Sequence, residues 1–312
     1  MTTDRGCSVC PPILFLIFNR PDTTVKVFEA IRLAQPARLY IASDGPRTTR
    51  IDEQEIVNEV RNIVKQIDWP CQVLRLYQDS NLGCKRAVST AIDWFFEHEE
   101  EGVILEDDCL PHIDFFLYCA QLLERYRGDE RIGLIAGTAL CDLRSRGLNW
   151  GDEDYVFTRY PSVWGWATWR KVWKDYDVSI SGWPERREDI TALTNNSKLT
   201  LINTAIFDRV FAGDIDTWDY QVSYMLWTTN RIAIAPRINL IENIGFGPQA
   251  THTTNSNNPL AIMTKMHADR LTFPLRSPFR LLPNHAYQDY VESFATRSLL
   301  NKILGRLGFN VS

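Results

Sequence analysis

Three consecutive carboxylates, Glu106-Asp107-Asp108, follow the apolar run Val103-Ile104-Leu105. Like charges this close repel one another, and an apolar neighbourhood raises the cost of ionising them. Something cationic has to compensate. A divalent metal with oxygen ligands, itself holding a diphosphate, is the natural group for such a set. The alternative is a solvated acidic turn or helix start, where carboxylates meet a favourable dipole.

Other polar groups lie where they could serve the same chemistry. Asp44, in Ser43-Asp44-Gly45, can accept hydrogen bonds from a base or a ribose, or can simply make a turn. Arg20 can pair with Asp44 or touch a nucleotide. Lys85 and Arg86 follow the turn Asn81-Leu82-Gly83 and open a helical pattern, so they can meet phosphate oxygens or remain a solvated helix start. Asp219, in Trp218-Asp219-Tyr220, is either a general base for an incoming hydroxyl or a helix cap flanked by core aromatics. Asp214 and Asp216 compete with it for the role of base. In the aromatic run from Tyr160 to Trp169, Gly165 permits close backbone approach. Trp166 is expected to face a ligand, with Trp169 and Trp173 in the core.

The elements around these residues alternate. Ile13 to Phe18 reads as a buried strand, Thr23 to Ala34 as a helix and Arg38 to Ala42 as a strand. Asp52 to Ile67 reads as a helix, Gln72 to Tyr77 as a strand, Lys85 to Glu97 as a helix and Gly102 to Leu105 as a strand. Such alternation predicts a parallel sheet with helices on both faces. Ligands of these sheets bind beyond the carboxyl ends of the strands. Asn19-Arg20, Ser43-Asp44-Gly45 and Glu106-Asp107-Asp108 all fall there, and so are expected to share one crevice.

Downstream the pattern is less regular. Helices are expected over Asp114 to Tyr126, Leu201 to Ala212 and Asp219 to Asn230, and short strands over Ile132 to Ala136 and Ile232 to Ala235. Asn255 to Pro283 is loop-rich. Glu292 to Leu307 gathers Phe294, Leu299, Leu300, Ile303, Leu304 and Leu307 near one helical face, with Arg297, Lys302 and Arg306 among them. Such a helix docks on the body or on a second copy of the chain as a homodimer. The competing reading is a basic amphipathic helix making peripheral contact with the inner face of a membrane.

Composition narrows the classes. The 312 residues are 45% hydrophobic and 23% charged, which excludes wholesale disorder and collagen-like architecture. A net charge of −5 leaves no basic excess for nucleic acid as the main partner. The 7 cysteines, an odd number, cannot all pair, which favours reduced thiols in a cytoplasmic protein. The polar start and the six-residue apolar run after it predict neither a signal peptide nor a membrane span. With 10 Trp, the chain has flat faces to spend on packing or on sugars.

Taken in order, F-N-R, S-D-G, N-L-G-x-x-R and L-E-D-D-x-x-P resemble the GT-A nucleotide-sugar glycosyltransferases, with E-D-D standing for their D-x-D metal motif. Asn81, Gly83 and Ala87 are similar to a segment of the family 2-like bacterial enzymes. Asp114 to Tyr118, Gly165-Trp166 and Trp218-Asp219 resemble segments of the N-acetylglucosaminyltransferases that begin complex N-glycans. The resemblance spans about residues 12–253. It implies a Rossmann-like, mostly parallel α/β sheet flanked by helices, with a less regular acceptor half and a C-terminal helix.

The boundaries that follow are a tail at 1–11, a nucleotide-sugar half at 12–125, an acceptor half at 126–253, a loop-rich extension at 254–291 and a helix at 292–312. The resemblance further implies that Asp108 ligates Mn²⁺ or Mg²⁺, with His252 as a late second ligand. Glu106 and Asp107 would contact donor sugar and ribose, and Asp44 the nucleobase with Arg20 beside it. Asp219 would deprotonate the acceptor, and Gly165-Trp166 would border donor sugar and acceptor. Lys85-Arg86 has no clear counterpart in the relatives.

The expected activity is glycosyl transfer, with inversion, from a nucleotide-diphosphate sugar (UDP-sugar first) to a glycan or lipid-linked glycan, in surface polysaccharide or glycoconjugate assembly. A sugar nucleotidyltransferase is the same-fold alternative. It would carry a glycine-rich loop where this chain has Asn19-Arg20-Pro21-Asp22. A non-catalytic carbohydrate-binding protein would not need the acidic triplet.

Overall fold

A computed structural model describes residues 10–140, 151–191, 193, 196–246, 265 and 270–306, with 297–306 as backbone. The first third alternates as expected: β1 (Ile13–Ile17), α1 (Pro21–Ala34), β2 (Arg38–Ser43), α2 (Glu53–Ile63), β3 (Gln72–Tyr77), α3 (Cys84–His98) and β4 (Glu101–Glu106). All five residues of β1 are buried, as a strand covered on both faces requires. α1 begins at Pro21, whose missing N–H costs nothing at a helix start. α2 stops four residues short of the expected Ile67. β4 runs one residue further than expected, so Glu106 is its last residue rather than the first of the loop.

The remainder comprises β5 (Cys109–Pro111), α4 (Asp114–Tyr126), β6 (Ile132–Ala136), β7 (Tyr155–Thr158), β8 (Trp166–Trp169), α5 (Arg170–Trp173), α6 (Trp183–Thr191), α7 (Ser197–Phe211), α8 (Asp219–Thr228), β9 (Ile232–Pro236), β10 (Ile241–Asn243) and α9 (His285–Arg306). The described part of the loop-rich stretch holds no helix or strand.

One eight-stranded sheet carries the molecule, in the order β3-β2-β1-β4-β8-β6-β9-β7. β1 to β4 pair in parallel, whereas β8 lies antiparallel between β4 and β6. The order 3-2-1-4 with right-handed crossovers puts α1 and α2 on one face and α3 on the other. This is a Rossmann-like α/β sheet, mostly parallel and flanked by helices, as the sequence predicts. Its order reverses between β1 and β4, the switch point at which such sheets open a crevice. A separate two-stranded pair, β5 with β10, sits beyond the end of β4 and sets Asn243 against Cys109.

The main core gathers Ile13 to Ile17, Val103 to Leu105, Phe115, Phe116, Ile132 to Ala136 and the indoles of Trp166, Trp169 and Trp173. A smaller cluster of Ile180, Trp183, Ile190, Phe207, Val210 and Tyr224 joins α6, α7 and α8. α9 starts seven residues before the expected helix. Its first turns dock on the body through buried Tyr287 and Val291, and Tyr160 donates to Glu292 at 2.6 Å. Among the described residues, no helix is long and apolar enough to cross a membrane.

Candidate active site at the carboxyl ends of the strands

β1 ends at Ile17 and β4 at Glu106, on either side of the switch point. Arg20, the residue before α1, bridges them. Its Nη1 lies 2.6 Å from Asp108 Oδ2 and 3.3 Å from Asp107 Oδ1. The Phe18 amide donates to Asp107 Oδ2 at 3.2 Å. The expected partners of Arg20 are Asp44 or a nucleotide; the chain pairs it with Asp107 and Asp108 of the triplet.

One guanidinium does not neutralise three carboxylates. Burial pushes the Glu106 carboxyl well above the usual range, and Asp108, Asp107 and Asp219 push it further, against Arg20. Burial also lifts Asp107, to about 7, although Arg20 opposes it. Ionising all three carboxyls together is therefore costly unless a further cation joins Arg20.

Asp219 reaches this field from far along the chain. It is the first residue of α8 and accepts from Thr217 Oγ1. Trp218 before it is buried and stacks on Trp166, ring centroids 6.0 Å apart, and its carbonyl accepts from Tyr176 at 3.1 Å. Trp166 in turn pairs across the sheet with Ile104 of β4. Two stacked indoles thus fix the start of α8 beside the end of β4. Trp166 is only 1% exposed, so its indole packs the core and offers no face to a sugar. That differs from its expected contact with ligand, because the β4–β8 pairing turns Trp166 inward. Trp164, half-buried against Phe246, is the least buried indole of the run.

Gly165 has φ +59, the left-handed region, and a Cβ there would fall 2.6 Å from Ile241 Cγ1 and 3.2 Å from Leu105 Cδ2. Only glycine permits that approach. Gly245 abuts the triplet in the same way: a Cβ on it would lie 2.8 Å from Cβ and Cγ of Asp108. The pairing of β10 with β5 brings it there, and the Ile244 amide donates to the Asp108 carbonyl at 2.8 Å. His252 follows seven residues later and lies outside the described residues.

Asp44 sits at the end of β2. It accepts from the amides of Gly45 (2.8 Å) and Leu82 (2.9 Å) and from Asn81 Nδ2 (2.8 Å). Burial raises its carboxyl in spite of these donors. It therefore fastens the loop after β3 to the loop after β2. Lys85 and Arg86 open α3 just beyond that loop, half-buried and exposed respectively. Asp216 caps this helix from a distance, accepting from the Lys85 amide at 3.2 Å.

Glu53, Arg47 and Asn19 form a cluster that the sequence does not announce. An acidic residue at a helix start is ordinary, and only its burial sets Glu53 apart. The five cysteines described, Cys10, Cys71, Cys84, Cys109 and Cys119, are free thiols.

No protein-family model matches the chain, and no curated protein matches it. Solved structures give distant likenesses. A mannosyltransferase from Pyrobaculum calidifontis, in complex with GDP-Man and Mn²⁺, is 10% identical over 70% of each chain, with a TM-score of 0.36. An apo UDP-glucose pyrophosphorylase is 10% identical over 74% of this chain and 93% of its own, TM-score 0.36. A 4-diphosphocytidyl-2C-methyl-D-erythritol synthase from Anaerococcus prevotii is 9% identical over 71% and 85%, TM-score 0.34. Likenesses of this strength leave the activity to be read from the chain's own site.

Proposed function

We propose that the chain is a glycosyltransferase that moves a sugar from a nucleoside-diphosphate donor, UDP-sugar first, to a hydroxyl of a glycan or lipid-linked glycan. The observation that carries this reading is the Trp218–Trp166 stack, which fixes Asp219 at the start of α8 beside β4, the strand that runs into the Glu106-Asp107-Asp108 triplet. A carboxylate separate from the triplet suits a base that acts on an incoming hydroxyl. With one such base and no enzyme-bound sugar, transfer inverts the anomeric centre.

The donor set fits a divalent cation. Carboxylate oxygens are the ligands Mg²⁺ and Mn²⁺ prefer, and three consecutive carboxyls meet here with Arg20 bridging Asp107 and Asp108. Among the described residues, no three or more His, Cys, Asp and Glu side chains are gathered as a metal cage. Asp108 would hold the ion, with the donor's diphosphate completing its shell. Bound there, the metal would supply electrostatic stabilisation of the diphosphate leaving group.

The chain's own residues supply the rest. Arg20 presents a fixed positive charge beside Asp108, where leaving-group charge develops. Glu106 and Asp107 offer oxygens to the sugar and ribose hydroxyls. Asp44 holds the loops that border the base. Lys85 and Arg86 stand at the first turn of α3, where an anion is favoured. Asp219 takes the proton of the attacking hydroxyl. Gly165 keeps the backbone close to Ile241 and to Leu105, the residue before Glu106.

The nucleotidyltransferase alternative lacks support at the β1–α1 loop, where Arg20 turns back onto the triplet instead of a glycine-rich backbone opening toward phosphates. A thermal-shift series of UDP-, GDP-, CMP- and TDP-sugars with and without Mn²⁺ tests the proposal. Stabilisation by a nucleotide sugar, larger with metal, is the expected result. No shift with any of them would remove the donor reading.

A further inference from the structure

Glu53 is buried, 2% exposed, while Glu55 and Glu59 on the same helix face solvent. A carboxylate out of water is costly unless it is paired and hydrogen-bonded. Here it accepts from the Arg47 amide (2.7 Å), from Arg47 Nε (2.8 Å) and Nη2, and from Asn19 Nδ2 (2.8 Å). The bonds from Arg47 hold the Glu53 carboxyl down at about 2.

The partners belong to two different loops. Asn19 lies two residues beyond β1 and Arg47 four residues beyond β2. One carboxylate therefore ties the loop after β1 to the loop after β2, which also carries Asp44. The tie continues inward: the Arg47 guanidinium lies 5.3 Å from the Phe18 ring centroid, and the Phe18 amide donates to Asp107. Asp44 stands within the field of Arg47. Stability alone gives little reason for this arrangement, since well-packed apolar groups serve a buried position at least as well as an ion pair.

We propose that Glu53 is a positioning residue that presets Arg47, Phe18 and Asn19 as the binding wall for the nucleoside of the donor. This rests on the nucleotide-sugar reading above. A planar guanidinium and an aromatic ring, both fixed in advance, suit the faces of a base and lower the ordering entropy lost on binding.

The test measures binding of UDP, GDP, CDP and ADP, and of inorganic pyrophosphate, by calorimetry with Mn²⁺ on the full chain. Glu53→Gln keeps the size and one acceptor oxygen but removes the charge. It is expected to weaken the best-bound nucleoside diphosphate about tenfold while pyrophosphate binding stays as in the parent chain. In turnover it raises KM for the donor more than it lowers kcat. Arg47→Lys, which loses the planar fork without emptying the buried position, shifts the same ratio and keeps the test open should Glu53→Gln fold poorly.

Equal losses for nucleoside diphosphate and pyrophosphate would mean general loosening and would overturn the proposal, as would no loss for either. If the parent chain binds a nucleoside diphosphate and both variants match it, the donor reading stands and only the role of Glu53 falls. If the parent chain binds none, the donor reading falls and takes this proposal with it.

Discussion

Arg20 reaches across the switch point of the sheet and sets Nη1 2.6 Å from Oδ2 of Asp108. The two residues follow different strands, β1 and β4, that lie side by side in the sheet. Their contact therefore marks the crevice in which the chain's charges converge. It also explains why an acidic triplet is tolerated there. The guanidinium offsets part of the repulsion, and the rest is left for a ligand to offset.

Asp108 is the residue expected to hold a metal for the donor. Asp108→Ala should abolish the Mn²⁺-dependent part of nucleotide binding and leave the chain folded, because Asp108 is half-buried at the end of the sheet and outside the apolar core. Calorimetry with UDP, with and without Mn²⁺, checks this. An affinity that still rises with Mn²⁺ in the variant would place the ligand elsewhere.

Asp107 gives the triplet a pH signature. Burial lifts its carboxyl to about 7, above the ordinary value of about 3.9 that an unfolded chain shows. The folded state then binds the proton more tightly than the unfolded one. Its contribution to stability is complete below about pH 4 and is lost as pH rises through about 7. Asp107→Asn removes that loss, so the variant should gain in melting temperature over the parent chain from pH 4.5 to 7.5. Glu53 has the opposite sign: held at about 2, it contributes above about 4.5 and fails only as pH falls toward 2. A parent-minus-Asn difference that stays flat across pH 4.5 to 7.5 would show that Asp107 is not perturbed in this way.

Gly245 should matter out of proportion to its size. A methyl there would meet Cβ and Cγ of Asp108 at 2.8 Å, so the carboxylate has to move off Arg20. Gly245→Ala is expected to weaken nucleotide binding about tenfold. Gly128→Ala is the control, since nothing lies within 4 Å of its added methyl. Equal affinities for the two variants would separate Gly245 from the site.

β1, β2 and β4 were legible as short, largely apolar and buried runs bounded by polar turns, as Ile13 to Ile17 shows, and the edge strand β3 by its alternation of Val73, Leu74 and Leu76 with polar residues. β8 was hidden: Trp166-Ala167-Thr168-Trp169 is buried at all four positions, and an aromatic run without a period does not declare its partner. β5 and β10 are three residues each, too short for any pattern, and exist because Cys109 and Asn243 meet across the fold. Within the site, Asp44, Asp108 and Asp219 stood out by residue type and by position at element ends. The inward turn of Trp166 depends on sheet register. The capping of α3 by Asp216 joins residues 131 apart, and local sequence carries no trace of such a contact.

That capping bears on which carboxylate is the base. Asp216 is exposed and spends Oδ1 on the Lys85 amide, with Oδ2 close to Gly83. Asp219 is half-buried, fixed by Thr217 and by the Trp218–Trp166 stack, and adds to the field at Glu106. Asp219→Asn should therefore keep donor affinity and lose transfer by about 10²- to 10⁴-fold, the usual worth of a positioned base. Asp216→Asn retains an acceptor oxygen for the Lys85 amide and should transfer at close to the parent rate. Single-turnover transfer from the donor found in the thermal-shift series, measured on both variants, decides between them. Loss in Asp216→Asn with survival in Asp219→Asn would reverse the assignment and move the acceptor hydroxyl toward the start of α3.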